Sequence, residues 1–435
     1  MGLFHGLGRH GERPDQAGLQ RPLHSQSGRS AAPELVWCLV ADPPADSRPR
    51  AGLPAPRSSL PYHIPMRITR RGFLGSSALL AGCAARRNAA TLPPLRSRLA
   101  PVIVSSERVI RTVAGLRPFR PSGFVVRAEK LGEKVVIHNY GHGGAGITLS
   151  WGTAQLAVEE AAKTELRDCA VIGCGVVGLS TARLLQERGY SPAIYARDVP
   201  PTTTSNIAGG LWEPVSLFDG PSVTPEFRRQ FGAAARFAFR RYQSLAGDRY
   251  AVRWLPLYTL SATAAFQPPP PESPASEIEP LYPEPRQLAP AENPFDVPYA
   301  HRRYSMLIEP AIYLNALMRD FLLAGGRLAV REFRATEELA SLRENLLFNC
   351  TGLGARTLFG DPELIPIKGQ LAVLLPQPEV NYMTLGPSGI YMFPRHDGIL
   401  LGGSFERGVF TTEPVPATID RILKENGALF GKMHA

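Results

Sequence analysis

Two glycine-rich turns are the stretches of this sequence best suited to hold an anionic or flat ligand. The first, Gly141–Gly146, lies in HNYGHGGAGITLSWG, and the second, Gly173–Gly178, lies in AVIGCGVVGLSTA. Both have the spacing G-x-G-x-x-G, which leaves backbone N–H groups open at the start of a helix, where phosphate binds. Because the chain has 41 glycines in 435 residues, the spacing alone is weak, and the flanking elements must decide what each turn does.

The second turn has the flanking elements of a dinucleotide site. Cys169–Ile172 is a short apolar strand, and LSTARLLQERG after the turn has apolar residues at helical spacing up to Gly189. A further strand, PAIYA, ends where a ribose-binding acid belongs, whereas the first turn has only a helical stretch after it. The predicted dinucleotide site consists of Gly173, Cys174, Gly175, Val176, Val177, Gly178, Arg197 and Asp198.

A stretch of hydroxyl side chains and paired glycines follows at residues 200–214, PPTTTSNIAGGLWEP. Short hydroxyl donors and an open backbone suit phosphate and a flat ring that approaches the main chain. An ordinary polar loop has the same composition, so this stretch counts only together with the other motifs. The candidates within it are Thr203, Thr204, Ser205, Gly209, Gly210 and Leu211.

The net charge of +10 does not indicate a nucleic-acid partner. Residues 1–100 carry 14 Arg and 5 acidic residues, so nearly all of the positive excess lies in this leader. The remaining chain is almost neutral and long enough for two lobes that share a core. We therefore expect a small-molecule ligand and no nucleic acid.

The leader divides into three parts. Residues 1–65 are rich in Pro, Arg, Gly and Ser, and we expect them to be disordered or absent from the natural product. Residues 66–83, MRITRRGFLGSSALLAGC, resemble a twin-arginine export signal with a lipoprotein box, and residues 84–100 form a linker. Our hypothesis is that translation begins at Met66 and that the protein is exported to the periplasm or cell envelope. Cys83 would then carry a lipid anchor.

Three further motifs, taken with HNYGHGG, resemble the D-amino-acid oxidase family of FAD-dependent enzymes. They are AGLRPFRP at 114–121, NLLFNCTGLG at 345–354 and GIYMFPRHDGILLGG at 389–403. The resemblance spans about 101–435 and implies an α/β fold with FAD as cofactor. A Rossmann-like FAD-binding lobe, about 138–250 and 309–360, is interwoven with a mostly antiparallel substrate-binding lobe. The latter takes in about 101–137, 251–308 and 361–435.

The motifs occur in a circularly permuted order relative to that family. Family members begin with the nucleotide turn and end with the GLRPxRP strand and the HNYGHGG loop, whereas here residues 101–165 precede the turn. This order predicts that the C-terminal helix lies beside the segment that leads into GLRPFRP, with 164–167 as the new joint. The alternative is a swapped homodimer, in which residues 101–165 complete a neighbour's site.

The resemblance assigns different roles to the two turns. The turn at Gly173–Gly178 holds the pyrophosphate of FAD, and the earlier loop lies against the flavin ring at the positive end of a helix. The residues implied beside the ring are Gly143, Gly146, Ile147 and Thr148. Arg117 matches the arginine that clamps the substrate carboxylate, and Tyr391 matches a tyrosine that hydrogen-bonds the same group. Gly144 would offer its carbonyl oxygen to the substrate amine.

The implied reaction is oxidative deamination of a D-amino acid to a 2-oxo acid, ammonia and hydrogen peroxide. A hydride passes from the α-carbon to flavin N5, oxygen accepts the electrons, and water hydrolyses the released imino acid to the 2-oxo acid and ammonia. No residue acts as a general base. His138 and His142 are therefore expected to contact the ring or the backbone rather than to exchange protons.

Two positions predict the substrate class. Phe405 and Val215 stand where the acidic-substrate branch of the family carries an Arg and a His, which favours neutral or apolar D-amino acids. Arg395, Arg407 and Glu213 lie close enough in sequence to reopen that choice. The Pro-rich segment 267–294 falls where the family places a covering loop.

Three other functions stay open at this stage. One is a related flavin oxidase of glycine or N-methyl amino acids, and another is a lipoprotein that binds a flavin or amino acid without turnover. A third is a nicotinamide-dependent reductase, because Arg197 at the end of its strand could seat the 2′-phosphate of NADP.

Overall fold

The structure is a computed structural model that describes residues 99–214 and 216–434. These residues belong to one compact unit, 89–435. The predictions for residues 1–65, for the export signal at 66–83 with Cys83 and for Val215 lie outside the described residues, as does nearly all of the 84–100 linker. No helix in the described ranges is long and apolar enough to cross a membrane.

The described residues form two sheets and the helices that cover them. The strands are β1 Val109–Phe119, β2 Val125–Leu131, β3 Lys134–Tyr140, β4 Asp168–Ile172, β5 Ser191–Ala196, β6 Val252–Ser261, β7 Arg286–Gln287, β8 Tyr299–Ile308, β9 Arg327–Val330, β10 Leu346–Asn349, β11 Ile365–Leu374, β12 Met383–Leu385, β13 Tyr391–Arg395, β14 Gly398–Gly402 and β15 Glu406–Arg407. The α-helices are α1 Gly146–Ala161, α2 Val176–Glu187, α3 Thr204–Ile207, α4 Pro225–Ser244, α5 Pro310–Leu323, α6 Ala355–Leu358 and α7 Pro416–Phe430. Short 3₁₀ helices lie at Ser106–Arg108, Gly143–Ala145, Gly220–Ser222, Pro274–Glu277, Glu279–Leu281, Pro290–Glu292, Thr336–Ser341, Gly352–Gly354 and Pro387–Gly389.

One sheet is mostly parallel, in the order β2-β3-β10-β4-β5-β9. Strands β3, β10, β4, β5 and β9 run parallel, and β2 joins β3 as an antiparallel edge. The two central strands read CAVI and LLFN, and both segments are fully buried. Continuous burial of this kind is typical of parallel strands covered on both faces.

Helix α1 is held tightly against its neighbours. A Cβ added to Gly152 would lie 1.9 Å from the carbonyl oxygen of Ala234, so the axes of α1 and α4 approach as only glycine allows. The indole N–H of Trp151 donates to the hydroxyl of Tyr313 at 2.6 Å, which joins α1 to α5. These contacts fix the start of α1 and the loop that precedes it.

The second sheet follows the order β1-β11-β14-β13-β12-β6-β8-β7, with β15 also paired to β11. Its neighbours run antiparallel except for β12 and β6, which run parallel. The expectation of an α/β fold with one Rossmann-like lobe and one mostly antiparallel lobe is confirmed.

The boundary between the lobes differs from the sequence-based one. The segment 101–137 was expected in the substrate lobe, yet Val125–Leu131 and Lys134–Tyr140 belong to the parallel sheet. The reason is long-range pairing, because Val135 to His138 pair in register with Leu346 to Asn349 of β10. Only the part up to Phe119 lies in the antiparallel sheet.

The segment that leads into β1 packs against the last helix. Val104 lies beside α7, since a Cβ on Gly427 would be 3.8 Å from the Val104 Cβ. The hydroxyl of Tyr382 donates to the carbonyl oxygen of Ala100 at 2.9 Å. Phe430 of α7 belongs to the same cluster of buried apolar side chains as Tyr382. The C-terminal helix therefore lies beside the segment before β1, as the motif order predicted.

Candidate active site

A cavity of about 610 Å³ is lined from both sheets. This volume falls within the range of small-molecule and cofactor sites, roughly 300–1,000 Å³. Five of its lining segments directly follow the carboxyl ends of parallel strands, which is where α/β sheets bind their ligands. These segments are 139–147 at β3, 173–177 after β4, 197–198 after β5, 331–333 after β9 and 350–358 after β10.

The predicted dinucleotide turn lies in this cavity and is too tightly packed for side chains. Gly173 has φ +114°, and a Cβ there would lie 2.4 Å from the carbonyl oxygen of Cys350. Val176 and Val177, the first residues of α2, line the cavity, so the positive end of that helix lies at its wall. The lining residues of the turn are Gly173, Cys174, Gly175, Val176 and Val177.

The hydroxyl and glycine stretch lies beside this turn. The side chain of Ser205 accepts a hydrogen bond from the Val176 N–H at 3.0 Å, which joins the two segments. Gly210 has φ +93°, and a Cβ there would lie 2.1 Å from the carbonyl oxygen of Ile308. The predicted residues of this stretch that line the cavity are Thr203, Thr204, Ser205, Gly209, Gly210 and Leu211.

Arg197 and Asp198 line the cavity directly after β5. The Arg197 Nε donates to Asp198 Oδ2 at 2.8 Å, and Arg197 Nη1 lies 3.7 Å from Glu332 Oε1. The hydrogen bond to Asp198 also raises the pKa of the Arg197 guanidinium. An acid at this place accepts hydrogen bonds from ribose hydroxyls, whereas the arginine is already neutralised by two carboxylates. The arrangement suits an unphosphorylated ribose better than a 2′-phosphate.

The first glycine-rich loop leads from β3 into α1 along the same cavity. Gly143 has φ +52°, and a Cβ there would lie 1.9 Å from the carbonyl oxygen of Ser216. The N–H of Gly144 donates to that same oxygen at 3.0 Å. Helix α1 begins at Gly146, so its N-terminus lies at the cavity wall. Ile147 lines the cavity as well.

Two of the predicted residues, Thr148 and Gly178, do not line the cavity, and both hold segments that do. The hydroxyl of Thr148 donates to the carbonyl oxygen of Glu213 at 3.0 Å and accepts from the Glu213 N–H at 3.2 Å. A Cβ on Gly178 would lie 2.0 Å from the carbonyl oxygen of Gly173, so Gly178 lets α2 approach the turn. Thr148 therefore fixes the loop at Glu213, and Gly178 fixes the dinucleotide turn.

The two histidines of the HNYGHGG motif are buried. Nε2 of His142 lies 2.9 Å from the hydroxyl of Thr153, and its ring stacks on Phe124. Complete burial lowers the pKa of His142 to about 3, so the ring is neutral at neutral pH. Nδ1 of His138 lies 3.0 Å from the amide nitrogen of Asn349, and burial lowers the pKa of His138 too. Neutral imidazoles with these partners hold the loop in place.

The opposite wall is one face of the antiparallel sheet. Side chains at positions i and i+2 of a strand share a face, and the register aligns these faces across β1, β11, β12 and β13. Of the residues that this face contributes to the cavity lining, only Arg117 is charged. The lining residues that it contributes are Gly115, Arg117, Gly369, Leu371, Leu385, Tyr391 and Phe393.

Arg117 is a cation without a partner among the described residues. No hydrogen bond or ion pair joins it to them, and its Nη1 is buried. Arg120, three residues on, lies 2.8 Å from Asp361 Oδ2 and 2.5 Å from Glu363 Oε2. A buried guanidinium N–H without an acceptor is destabilising, so the Arg117 site is built for an anion. Arg120 is structural.

Three of the positions considered for substrate choice lie away from the cavity. Arg395 pairs with Asp397 at 2.6 Å, and Arg407 pairs with Asp219 at 2.5 Å. Phe405 is 52% exposed and does not line the cavity. Neither arginine is therefore placed to select an acidic substrate.

Glu213 is the exception, because it lines the cavity. Its Oε2 accepts hydrogen bonds from Arg303 Nη2 at 2.7 Å and from the Tyr282 hydroxyl at 2.8 Å. Burial raises the pKa of Glu213, and the charge of Arg303 opposes that shift. Tyr282 belongs to the Pro-rich segment 267–294, so its hydrogen bond joins that segment to Glu213 in the cavity wall. None of the segment's residues lines the cavity.

The sequence reasoning missed several lining segments. Residues 350–354 follow β10, and their motif was recognised without a role being given to it. Arg331 and Phe333 follow β9, a short edge strand with no motif of its own. Asn139 lines the cavity with a buried Oδ1 that has no donor among the described residues. Considering every residue at and directly after the carboxyl end of each parallel strand would have found all three groups.

Comparison with known proteins identifies the family. The family model described as FAD dependent oxidoreductase matches residues 20–160 and 168–433, so the chain belongs to this family. It is 34% identical over 271 residues to a D-amino-acid oxidase of Rubrobacter xylanophilus, which covers 60% of this chain and 76% of the relative. It is 30% identical over 290 residues to a D-amino-acid oxidase of Streptomyces coelicolor, over 61% of this chain and 80% of the relative.

One solved structure that aligns with this chain is glycine oxidase from Bacillus cereus ATCC 14579. It aligns with a TM-score of 0.44 and 14% identity over 62% of this chain and 81% of that protein. By the family match, the protein is an FAD-dependent oxidoreductase.

The residues present fit FAD. The positive ends of α1 and α2 lie at the wall, and the turns that precede them leave no room for side chains. The buried Asn139 Oδ1 and Arg117 Nη1 have no partner in the described chain. The Gly173–Val177 turn, Asp198 and the Gly143–Ile147 loop thus contribute to the lining of one cavity.

Proposed function

We propose that this protein oxidatively deaminates neutral or apolar D-amino acids to 2-oxo acids, ammonia and hydrogen peroxide. The observation that carries the proposal is Arg117, a guanidinium without a partner on the wall of a cavity that also contains the dinucleotide turn. An amino acid supplies the carboxylate that such a group requires. The D-amino-acid oxidases among the relatives support this substrate class.

The residues of the chain bind and orient the substrate. Arg117 binds the carboxylate through its planar fork, and the Tyr391 hydroxyl donates a hydrogen bond to the same group. The carbonyl oxygen of Gly144 accepts a hydrogen bond from the amine, which leaves the α-hydrogen directed across the cavity. When bound, FAD would supply the acceptor for that hydride and the route of the electrons to oxygen. His142 stays neutral and takes no proton, so catalysis depends on positioning.

The wall around Arg117 favours an uncharged substrate side chain. Leu371, Leu385 and Phe393 share its face of the sheet, and this face contributes no second cation to the cavity lining that could bind a side-chain carboxylate. Selection by such a surface discriminates by shape and apolar contact. We therefore place D-alanine and larger apolar D-amino acids before D-aspartate.

We propose further that the chain is a circular permutant of the family. The family match is interrupted at 161–167, around the expected joint at 164–167, and α7 lies beside the segment before β1. Residues 101–165 and the rest of the cavity belong to one chain here, which favours a self-contained site over a swapped homodimer.

We also propose export by the twin-arginine route, with Cys83 as a lipid-modified anchor at the cell envelope. The support is the sequence at residues 66–83 alone. Mass spectrometry of the native N-terminus tests it, because an unprocessed Met1 would contradict both the start at Met66 and the anchor.

The experiment for the activity is a substrate screen of the FAD-loaded full chain with peroxide detection. The panel contains D-alanine, D-valine, D-aspartate, glycine, N-methylglycine and L-alanine. Peroxide from the apolar D-amino acids and none from L-alanine is expected. Turnover of glycine or N-methylglycine in preference to D-alanine would replace this proposal by the related oxidase, and no turnover of any of them would indicate a binding protein.

A further inference from the structure

A glycine lies directly beneath each of the two carboxylate-binding side chains. A Cβ added to Gly369 on β11 would lie 2.5 Å from Nη2, 2.6 Å from Nη1 and 2.7 Å from Cζ of Arg117. The Nη1, Nη2 and Cζ atoms of the guanidinium therefore lie directly over Gly369. No other atoms are nearer to that Cβ position.

Tyr391 makes the equivalent contact on the neighbouring pair of strands. Tyr391 pairs with Gly402 of β14, and a Cβ on Gly402 would lie 2.1 Å from Cζ and 2.4 Å from Oη of Tyr391. The ring also stacks on Phe393, with centroids 5.0 Å apart. The phenol therefore leans over its cross-strand glycine.

The two glycines belong to one surface. Gly402 pairs with Leu371, so it shares the cavity face of the sheet with Gly369, two residues before Leu371 on the adjacent strand. Neither glycine has a positive φ, so the backbone conformation does not require glycine at either position. Glycine also weakens a strand interior. The physical reason for glycine at both positions is therefore the space that it leaves for the overlying side chain.

We propose that Gly369 and Gly402 are positioning residues for substrate binding, which act by letting Arg117 and Tyr391 lie against the sheet. This inference rests on the proposed function. The absent side chains set the height of the guanidinium and the phenol, and so the depth at which the substrate carboxylate binds. An alanine at position 369 lifts the guanidinium away from that depth. Because the clash falls on the end of a flexible side chain, the fold accommodates it.

The test is a double-mutant cycle on the FAD-loaded full chain with Gly369→Ala, Arg117→Ala and both together. Two readouts are used: KM and kcat for D-alanine, and the dissociation constant of benzoate, a carboxylate without an amine, from the perturbed flavin spectrum. We expect Gly369→Ala to raise KM and the benzoate dissociation constant at least tenfold, with kcat within threefold. In the Arg117→Ala background the added alanine should change either constant less than twofold. Gly220→Ala is the matched control, because Gly220 has open space and no positive φ.

The outcomes distinguish a failure of this inference from a failure of the proposed function. Equal effects of Gly369→Ala with and without Arg117 would overturn the inference, as would an unchanged benzoate constant in the single variant. If Gly369→Ala does not fold but the double variant does, the clash with Arg117 is its cause and the contact stands. Failure of both to fold would contradict the inference. If Arg117→Ala itself leaves benzoate binding unchanged, the proposed clamp fails instead.

Discussion

Replacement of Arg117 by alanine is the change whose effect the structure defines best. The guanidinium has no partner among the described residues and its Nη1 is buried, so its removal breaks nothing that holds the fold. A bidentate carboxylate contact comprises two charge-assisted hydrogen bonds of about 1.5–3 kcal/mol each. Loss of both amounts to about 3–6 kcal/mol, which is roughly 10²- to 10⁴-fold in KM at about 1.4 kcal/mol per tenfold.

The assay is steady-state oxidation of D-alanine by the FAD-loaded protein, with Arg117→Lys as the matched variant. Lysine keeps the charge and loses the planar fork, so its KM should lie between those of wild type and Arg117→Ala. The melting temperature of both variants should stay close to that of wild type. A rise in KM below tenfold for Arg117→Ala would refute the carboxylate clamp.

Three more predictions concern the cofactor turn and the buried charges. Gly178→Ala should lose FAD on gel filtration, because its Cβ would lie 2.0 Å from the Gly173 carbonyl oxygen; retained FAD would argue against this packing. In urea titrations, wild type should be less stable at pH 5 than at pH 7, since the pKa of His142 is about 3 when folded and near 6.5 when unfolded. Protons then bind the unfolded chain preferentially, which lowers the free energy of unfolding at pH 5 by about 2 kcal/mol for this group. If His142→Gln leaves the pH effect unchanged, His142 is not its cause. Arg303→Leu should lower the free energy of unfolding by about 3–5 kcal/mol because it leaves the Glu213 carboxylate buried and unpaired. Arg302→Leu, whose partner is exposed, should change it by less than about 1 kcal/mol, and equal effects of the two would contradict the assignment.

The local elements of the site could be predicted from the sequence because they depend on short-range signals. The strand at Cys169–Ile172 extends one residue further in the structure, and the helix after the turn ends two residues before Gly189. Apolar runs, glycine turns and helical periodicity report on neighbours within a few residues. The cofactor class and the enzyme class followed from the motifs and are confirmed by the family match.

Features that depend on distant pairing could not be predicted in the same way. The hairpin of β2 and β3 was placed in the wrong lobe because its partner, β10, lies about 210 residues further on. Composition and spacing do not distinguish Arg117 from Arg120; the family resemblance selected Arg117, and the structure pairs Arg120 with the carboxylates at 361 and 363. Gly369 stood in no recognised motif, because its importance arises from a side chain on the neighbouring strand.

The measurement that tests the account most directly is an anaerobic titration of the purified, FAD-loaded full chain. D-Alanine should bleach the yellow flavin absorbance in the absence of oxygen, L-alanine should not, and admission of air should restore the colour with release of peroxide. A protein that remains colourless after reconstitution with FAD, or a flavin that D-alanine leaves oxidised, would contradict the central claim that this cavity brings a D-amino acid and FAD together.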